Sequence, residues 1–131
     1  MTFLSQWLGK DAPQGRSGEF VLIYEPSGEP RVTVGHLAYD GHEWTFSYDE
    51  DYKRHRPELR PIEGFSELNK VYRSSVLFPF FRVRIPDVRR PDVEGLLKEK
   101  RVRNPGQAEL LRIFGKHAAA SPSFKLEAAT P

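Results

Sequence analysis

The stretch from Lys70 to Arg90, KVYRSSVLFPFFRVRIPDVRR, constrains the fold more than any other part of the chain. It carries Val76, Leu77, Phe78, Phe80, Phe81, Val83 and Ile85, and three of the nine phenylalanines fall within four positions. Each large aromatic removes about 150–250 Å² from water when buried, so any compact structure must cover most of this segment. Pro86-Asp87 and then Arg89-Arg90 follow at once. Whatever core formation leaves uncovered here is the natural place for a partner. On a helix, neighbouring residues diverge by about 100°, so Phe78, Phe80 and Phe81 cannot share one face. One of the three is expected to be exposed or set against a partner.

Upstream of this stretch the pattern is that of strands. Glu19 to Glu25 (EFVLIYE) is rich in β-branched and aromatic residues. Arg31 to Tyr39 alternates through Val32, Val34 and His36, and His42 to Tyr48 places Trp44, Phe46 and Tyr48 on one face. Asp40-Gly41 between the last two runs predicts a tight type I′ hairpin, whose central positions need positive φ. Three antiparallel strands in a meander are therefore expected. Asp49 to Arg60 is polar, with Pro57 limiting any helix to a short one. Pro61 to Asn69 carries only Ile62, Phe65 and Leu68 as apolar residues and reads as one further extended segment.

Helices are expected after it. Ser74-Ser75 caps a helix from about Val76, regular from near Phe78 because Pro79 is tolerated only in the first turn, and Pro86 ends it. A second helix is expected over 87–103, with Pro91 near its start and Val93, Leu96, Leu97 and Val102 as its buried stripe. Asn104-Pro105-Gly106 breaks the chain, and a third helix over 107–116 turns Leu110, Leu111 and Phe114 inward with Gly115 at its end. Sheet first and helices afterwards predict an α+β fold: a small antiparallel β-meander or partial barrel packed with two to three C-terminal helices. Residues 1–18 read as a leader, in which Phe3, Leu4, Trp7 and Leu8 have the spacing of a short amphipathic turn. Residues 19–117 read as the domain and 118–131 as a tail.

With 131 residues, 20 basic against 18 acidic side chains and no cysteine, the chain is of one-domain size, nearly balanced in charge and without thiolate chemistry. No run has the length of a signal peptide core or a membrane span, so a cytoplasmic protein without membrane contact is expected. His36, His42, His55 and His117 show no metal-ligand spacing, and Asp49-Glu50-Asp51 reads as a solvated turn in preference to a cation site. No phosphate-cradling glycine motif occurs, and neither Ser74 nor Ser75 has a histidine at a local offset to activate it. No cofactor, metal or catalytic group is expected, and a binding role is favoured over chemistry. Lys53, Arg54, His55, Arg56 and Arg60 form one basic cluster, and Lys98, Lys100, Arg101 and Arg103 another; balanced net charge favours solvated faces for both.

From Val34 to Phe124 the order of features resembles the N-terminal subdomain of HipA-type toxin kinases. The matching pieces are VGHL, DGHEWTFSYD, VYRSSVLFPFF, FRVRIPD and LLRIFGK, spread over a region that covers about two thirds of the chain. Two segments depart from the family pattern: its apolar segment is here Arg60 to Phe65, and its glycine-rich stretch after the third helix is here Ala118 to Ser123. The ATP-binding kinase domain is absent from the sequence. The resemblance implies a free-standing, HipS-like component of a split toxin–antitoxin system. Its partners would be a HipA-like serine/threonine kinase lacking this subdomain and a helix-turn-helix DNA-binding protein, with DNA reached only through the latter.

On that reading the chain is a non-enzymatic, antitoxin-like inhibitor of the kinase. Its contact residues are Trp44, Tyr72, Phe78, Phe81, Arg82, Arg84, Arg89 and Arg90, although strand alternation also makes Trp44 a core residue. Val76, Phe80 and Ile85 are assigned to folding. The alternative is a small nucleic-acid-binding module using Lys53, Arg54, Arg56, Arg89 and Arg90, for which DNA binding by the isolated chain would be steeply salt-dependent.

Overall fold

Three consecutive apolar-rich runs build the centre of the sheet: β1 (Gly18–Tyr24), β2 (Val32–Tyr39) and β3 (Trp44–Tyr48). The computed structural model describes residues 17–54, 60–119 and 121–129. The amphipathic turn expected in the leader lies outside them, as do His55 and Arg56. β3 alternates strictly, with Trp44, Phe46 and Tyr48 buried. β2 does not: its register against β1 shifts between Leu22 and Ile23, so Val34 is an extra residue. Beyond this bulge Leu37 points inward and His36 outward, against the alternation expected from the sequence. Only Gly41 of the 40–43 turn has positive φ, at 102°, so the turn is not type I′. It is closed instead by Asp40, whose Oδ1 accepts from the backbone N–H groups of His42 and Glu43, both at 2.8 Å.

The meander is extended at both sides. β4 (Tyr72–Ser74) pairs antiparallel with β3, and β5 (Phe124–Ala128) pairs antiparallel with β1, giving the order β4-β3-β2-β1-β5. The sheet is open and does not close into a barrel. Two expectations are corrected here. The extended segment following β3 lies at 72–74, not within 61–69. The stretch read as a tail supplies an edge strand, because Tyr24 and Phe124 pack ring on ring at 4.9 Å and Leu126 is buried. A pair of apolar residues suffices for this when the neighbouring strand provides the backbone partners.

The acidic run after β3 starts a helix. Asp49 caps α1 (Glu50–Lys53) by accepting from the Asp51 N–H at 2.9 Å. The segment 60–70 has no regular secondary structure, and tyrosines of neighbouring elements tie it down. Tyr48 Oη donates to the Phe65 carbonyl at 2.6 Å and accepts from the Ile62 N–H at 2.9 Å. Tyr52 Oη donates to the Arg60 carbonyl, and Tyr72 Oη accepts from the Glu67 N–H at 2.8 Å. A turn closed by the Phe65 N–H on the Ile62 carbonyl, with Gly64 at φ 94°, has the signature of type II and needs glycine there.

Helices cover one face. α2 (Pro79–Arg82) is a single turn capped at Phe78, shorter than the helix expected from Val76 to Pro86. α3 (Pro91–Glu99) buries Val93 and Leu97, and α4 (Gln107–Phe114) buries Ala108, Leu110 and Leu111. The main core lies between the sheet, the 60–70 segment, α2 and α4, and a smaller cluster of Val93, Leu97 and Leu110 joins α3 to α4. Ile85, half-buried, packs against both. Phe80 is half-buried on the main core, but Val76, assigned to folding from the sequence, is 60% exposed. No helix among the described residues is long and apolar enough to cross a membrane.

Candidate interaction surface

The backbone around α2 decides which side chains of the aromatic run remain available. The α2 turn mixes bonds of two spacings, Phe81 N and Arg82 N both to Phe78 O at 3.0 Å and Val83 N to Pro79 O at 3.4 Å, and then tightens to i to i+3 bonds from Arg84 N to Phe81 O and from Ile85 N to Arg82 O, at 3.0–3.1 Å. The i to i+3 bonds from 78 to 81 and from 81 to 84 bring positions 78, 81 and 84 close to one face. Those three therefore point towards the core, while Arg82 and Val83 point away. Phe81 is fully buried, in ring contact with Phe46 at 5.5 Å and Phe80 at 5.2 Å. Phe78 is half-buried and meets Phe65 edge-on at 5.2 Å.

Arg84 is buried, which removes it from the surface set. Its guanidinium donates to the carbonyls of Gly115 at 3.0 Å, Lys116 at 3.2 Å and Phe124 at 3.0 Å, and to Ser121 Oγ at 3.3 Å. It also stacks over the Phe80 ring at 5.7 Å. None of these partners is an anion, and burial pulls the group below the usual arginine range. It terminates α4, whose last carbonyls favour a cation, and fixes the start of β5.

Trp44 and Phe81 leave the surface set for the same reason as Arg84. Trp44 is 2% exposed and stacked on Tyr39 at 4.5 Å, in agreement with its place in the alternation of β3. Tyr72 is half-buried with its hydroxyl engaged on Glu67. Arg82 is exposed and its guanidinium meets no acceptor among the described residues. Arg89 and Arg90 are exposed but neutralised: Arg89 holds both oxygens of Asp87 at 3.1 and 3.0 Å, and Arg90 holds both of Asp92 at 3.1 and 2.7 Å. The Arg89 hydrogen bonds keep the Asp87 carboxyl below its ordinary value.

The eight residues miss most of the feature that stands out beside α2. A largely apolar groove of about 620 Å³ runs along α2, lined by Glu63, Gly64, Phe65, Phe78, Pro79, Phe80, Val83 and Ser121. Val83 is 66% exposed at its edge, more than any other large apolar side chain among the described residues. Of the residues picked from the sequence only Phe78 lines this groove, with Arg82 beside it. Val83, Pro79 and Ser121 were missed. The tightened turn that exposes Val83 has no sequence signature separate from a helix, and Ser121 arrives from a segment with no pattern at all.

Elsewhere the polar pairs are structural. His36 Nε2 lies 2.7 Å from Asp49 Oδ1. Burial alone would raise the Asp49 carboxyl, but the hydrogen bonds from His36 and the Asp51 N–H outweigh it and hold the group below its usual value. Lys53 pairs with Glu50 and Arg54 with Asp51, each at 3.1 Å. The cations of the nucleic-acid reading that fall among the described residues, Lys53, Arg54, Arg89 and Arg90, are thus all held by carboxylates.

A family model described as the HipA N-terminal domain matches residues 30–120 of the 131-residue chain. The matched region holds β2, β3, β4 and the four helices among the described residues, and the family is that of the N-terminal domain, not of the kinase catalytic region. No curated protein and no solved structure matches the chain.

Proposed function

The chain belongs to the HipA N-terminal domain family, and from that premise we propose that it is a non-enzymatic, antitoxin-like protein that docks on a HipA-like serine/threonine kinase lacking this domain and restrains it. The observation that carries the proposal is the α2 groove. It leaves Phe78 and Phe80 half-exposed and Pro79 exposed along one wall, with Val83 exposed at the edge. A surface that packs intramolecularly when two domains share a chain becomes an intermolecular interface when they are separate, and apolar anchors persist on it. Two walls of this groove come from Glu63-Gly64-Phe65 and from Ser121. These lie in the two segments where the sequence departs from the family pattern, as expected of a surface fitted to its own partner. Arg82 beside the groove supplies an uncommitted cation for a carboxylate across the interface. The proposed assembly also contains a helix-turn-helix DNA-binding protein.

The test is co-expression with such a kinase, followed by co-purification and kinase autophosphorylation with and without the chain. The expected outcome is a stable complex and suppressed autophosphorylation. Val83→Asp, at an exposed position, should leave the melting temperature unchanged while weakening the complex about tenfold or more, as truncated interface anchors do. Arg82→Glu should act in the same direction. Wild-type binding by both variants would remove the groove from the interface. Failure of the chain to bind the kinase at all would sink the whole reading, and phosphotransfer by the purified chain alone would end its non-enzymatic part.

A further inference from the structure

The second basic cluster differs from Lys53 and Arg54 of the first in one respect: its charges are unanswered. Lys98, Lys100, Arg101 and Arg103 are all exposed, and none is in an ion pair among the described residues. By contrast Arg31, Lys53, Arg54, Arg73, Arg89, Arg90 and Lys125 each hold a carboxylate. The four cations sit on the turn that ends α3, with Glu99 as the one acid among them. Three of them, Lys98, Arg101 and Arg103, surround a shallow hollow of about 460 Å³ together with Val102.

The backbone of this turn is unusual. Val102 N–H reaches the Leu97 carbonyl at 2.9 Å and Arg101 N–H reaches the Lys98 carbonyl at 3.0 Å. These are the two bonds of a Schellman motif, which places Arg101 at the position that glycine normally fills. Arg101 has φ 59°, a left-handed conformation that is unfavourable for a residue with a Cβ. Glycine would satisfy the fold better, so the fold does not explain the guanidinium. A role in favouring the helix C-terminus does not explain the cluster either, since that effect fades within the last turn and Arg101 and Arg103 lie past it.

We propose that this turn contacts the phosphate backbone of duplex DNA, without reading its sequence. Four long cationic side chains within six residues, with Val102 half-buried against the Leu97 cluster and no aromatic lining the hollow, lack the apolar anchors of a protein interface. They match instead a polyanion carrying one charge per about 1.7 Å. This contact is made by the chain itself and does not depend on the kinase.

The test uses the full chain and a fluorescein-labelled 20-base-pair duplex of arbitrary sequence, followed by anisotropy at several salt concentrations. Four phosphate contacts give a slope of log affinity on log salt of about −3 to −4, hence about a hundredfold loss between 50 and 200 mM salt. The combined variant K98Q/K100Q/R101Q/R103Q should abolish this binding, whereas Arg31→Gln with Arg73→Gln, which removes two paired cations, should keep it. Arg101→Gly separates binding from folding. It should raise the melting temperature by about 3 °C by relieving the backbone, yet flatten the salt slope by about one. An unchanged slope in Arg101→Gly or in the combined variant would overturn the proposal. So would competition by poly-glutamate as effective as that by unlabelled duplex, which would assign the turn to an acidic protein.

Discussion

The phenol of Tyr48 sits between two stretches of backbone that have no ladder to share. Its hydroxyl donates to the Phe65 carbonyl and accepts from the Ile62 N–H, and all three residues are buried. Tyr48→Phe would leave a buried donor and a buried acceptor without a partner. We expect a loss of about 1–3 kcal/mol in urea unfolding. The same burial pushes the Tyr48 phenol up to about 12. The folded chain thus holds this proton more tightly than the unfolded chain, whose tyrosines titrate near 10. The contribution is complete below about pH 10, declines as pH rises, and is gone beyond about 12. Alkaline unfolding of the wild type should show this limb, and in Tyr48→Phe it should flatten. Alternation makes Tyr48 a core residue on sequence grounds alone. Its partners, 14 and 17 residues away, were not legible, because a hydroxyl accepts any backbone group that reaches it.

At the scale of elements, local patterns were readable and tertiary overrides were not. β1 follows from its β-branched and aromatic composition, β2 and β3 from period-two alternation that the bulge in β2 then shifts, α3 from its proline start and apolar stripe and α4 from the break at Asn104-Pro105-Gly106 and its apolar stripe, although α3 is shorter at both ends than its pattern. The aromatic run misled because its apolar spacing suits a long helix, whereas the backbone makes a single turn over Pro79–Arg82 and then tightens to i to i+3 bonds at Arg84 and Ile85. Arg84 was misread as a surface anchor because nothing in its neighbourhood announces four acceptors from residues 115–124. Those bonds predict a local effect. Arg84→Met should leave the three carbonyls and Ser121 without their donor, destabilise the chain by about 3 kcal/mol, and raise hydrogen exchange in β5 before exchange in β2 or β3. Uniform acceleration across the sheet would show that Arg84 serves the whole core and not the docking of β5.

For the whole molecule, the α+β class and the family follow from the order of features, whereas the candidate surface does not. The groove needs α2, the 60–70 segment and the loop before β5 to meet, and these converge only in three dimensions. The fifth strand is a similar case: Phe124 and Leu126 are too few for a pattern, yet β5 pairs with β1 over five residue pairs from Phe20↔Ala128 to Tyr24↔Phe124. A chain truncated after Lys116 would lose that ladder, the buried Leu126 and half of the Arg84 network. We expect it to self-associate through the bared edge of β1 in size-exclusion chromatography, where the full chain does not. The pairing of Tyr24 with Phe124 spans one hundred residues and gives the protein a timetable. At about 5–20 residues per second, a ribosome finishes β5 about 5–20 s after it finishes β1. Throughout that interval the first strand has an unclaimed edge, and a translating cell must either shield it or synthesise the rest quickly.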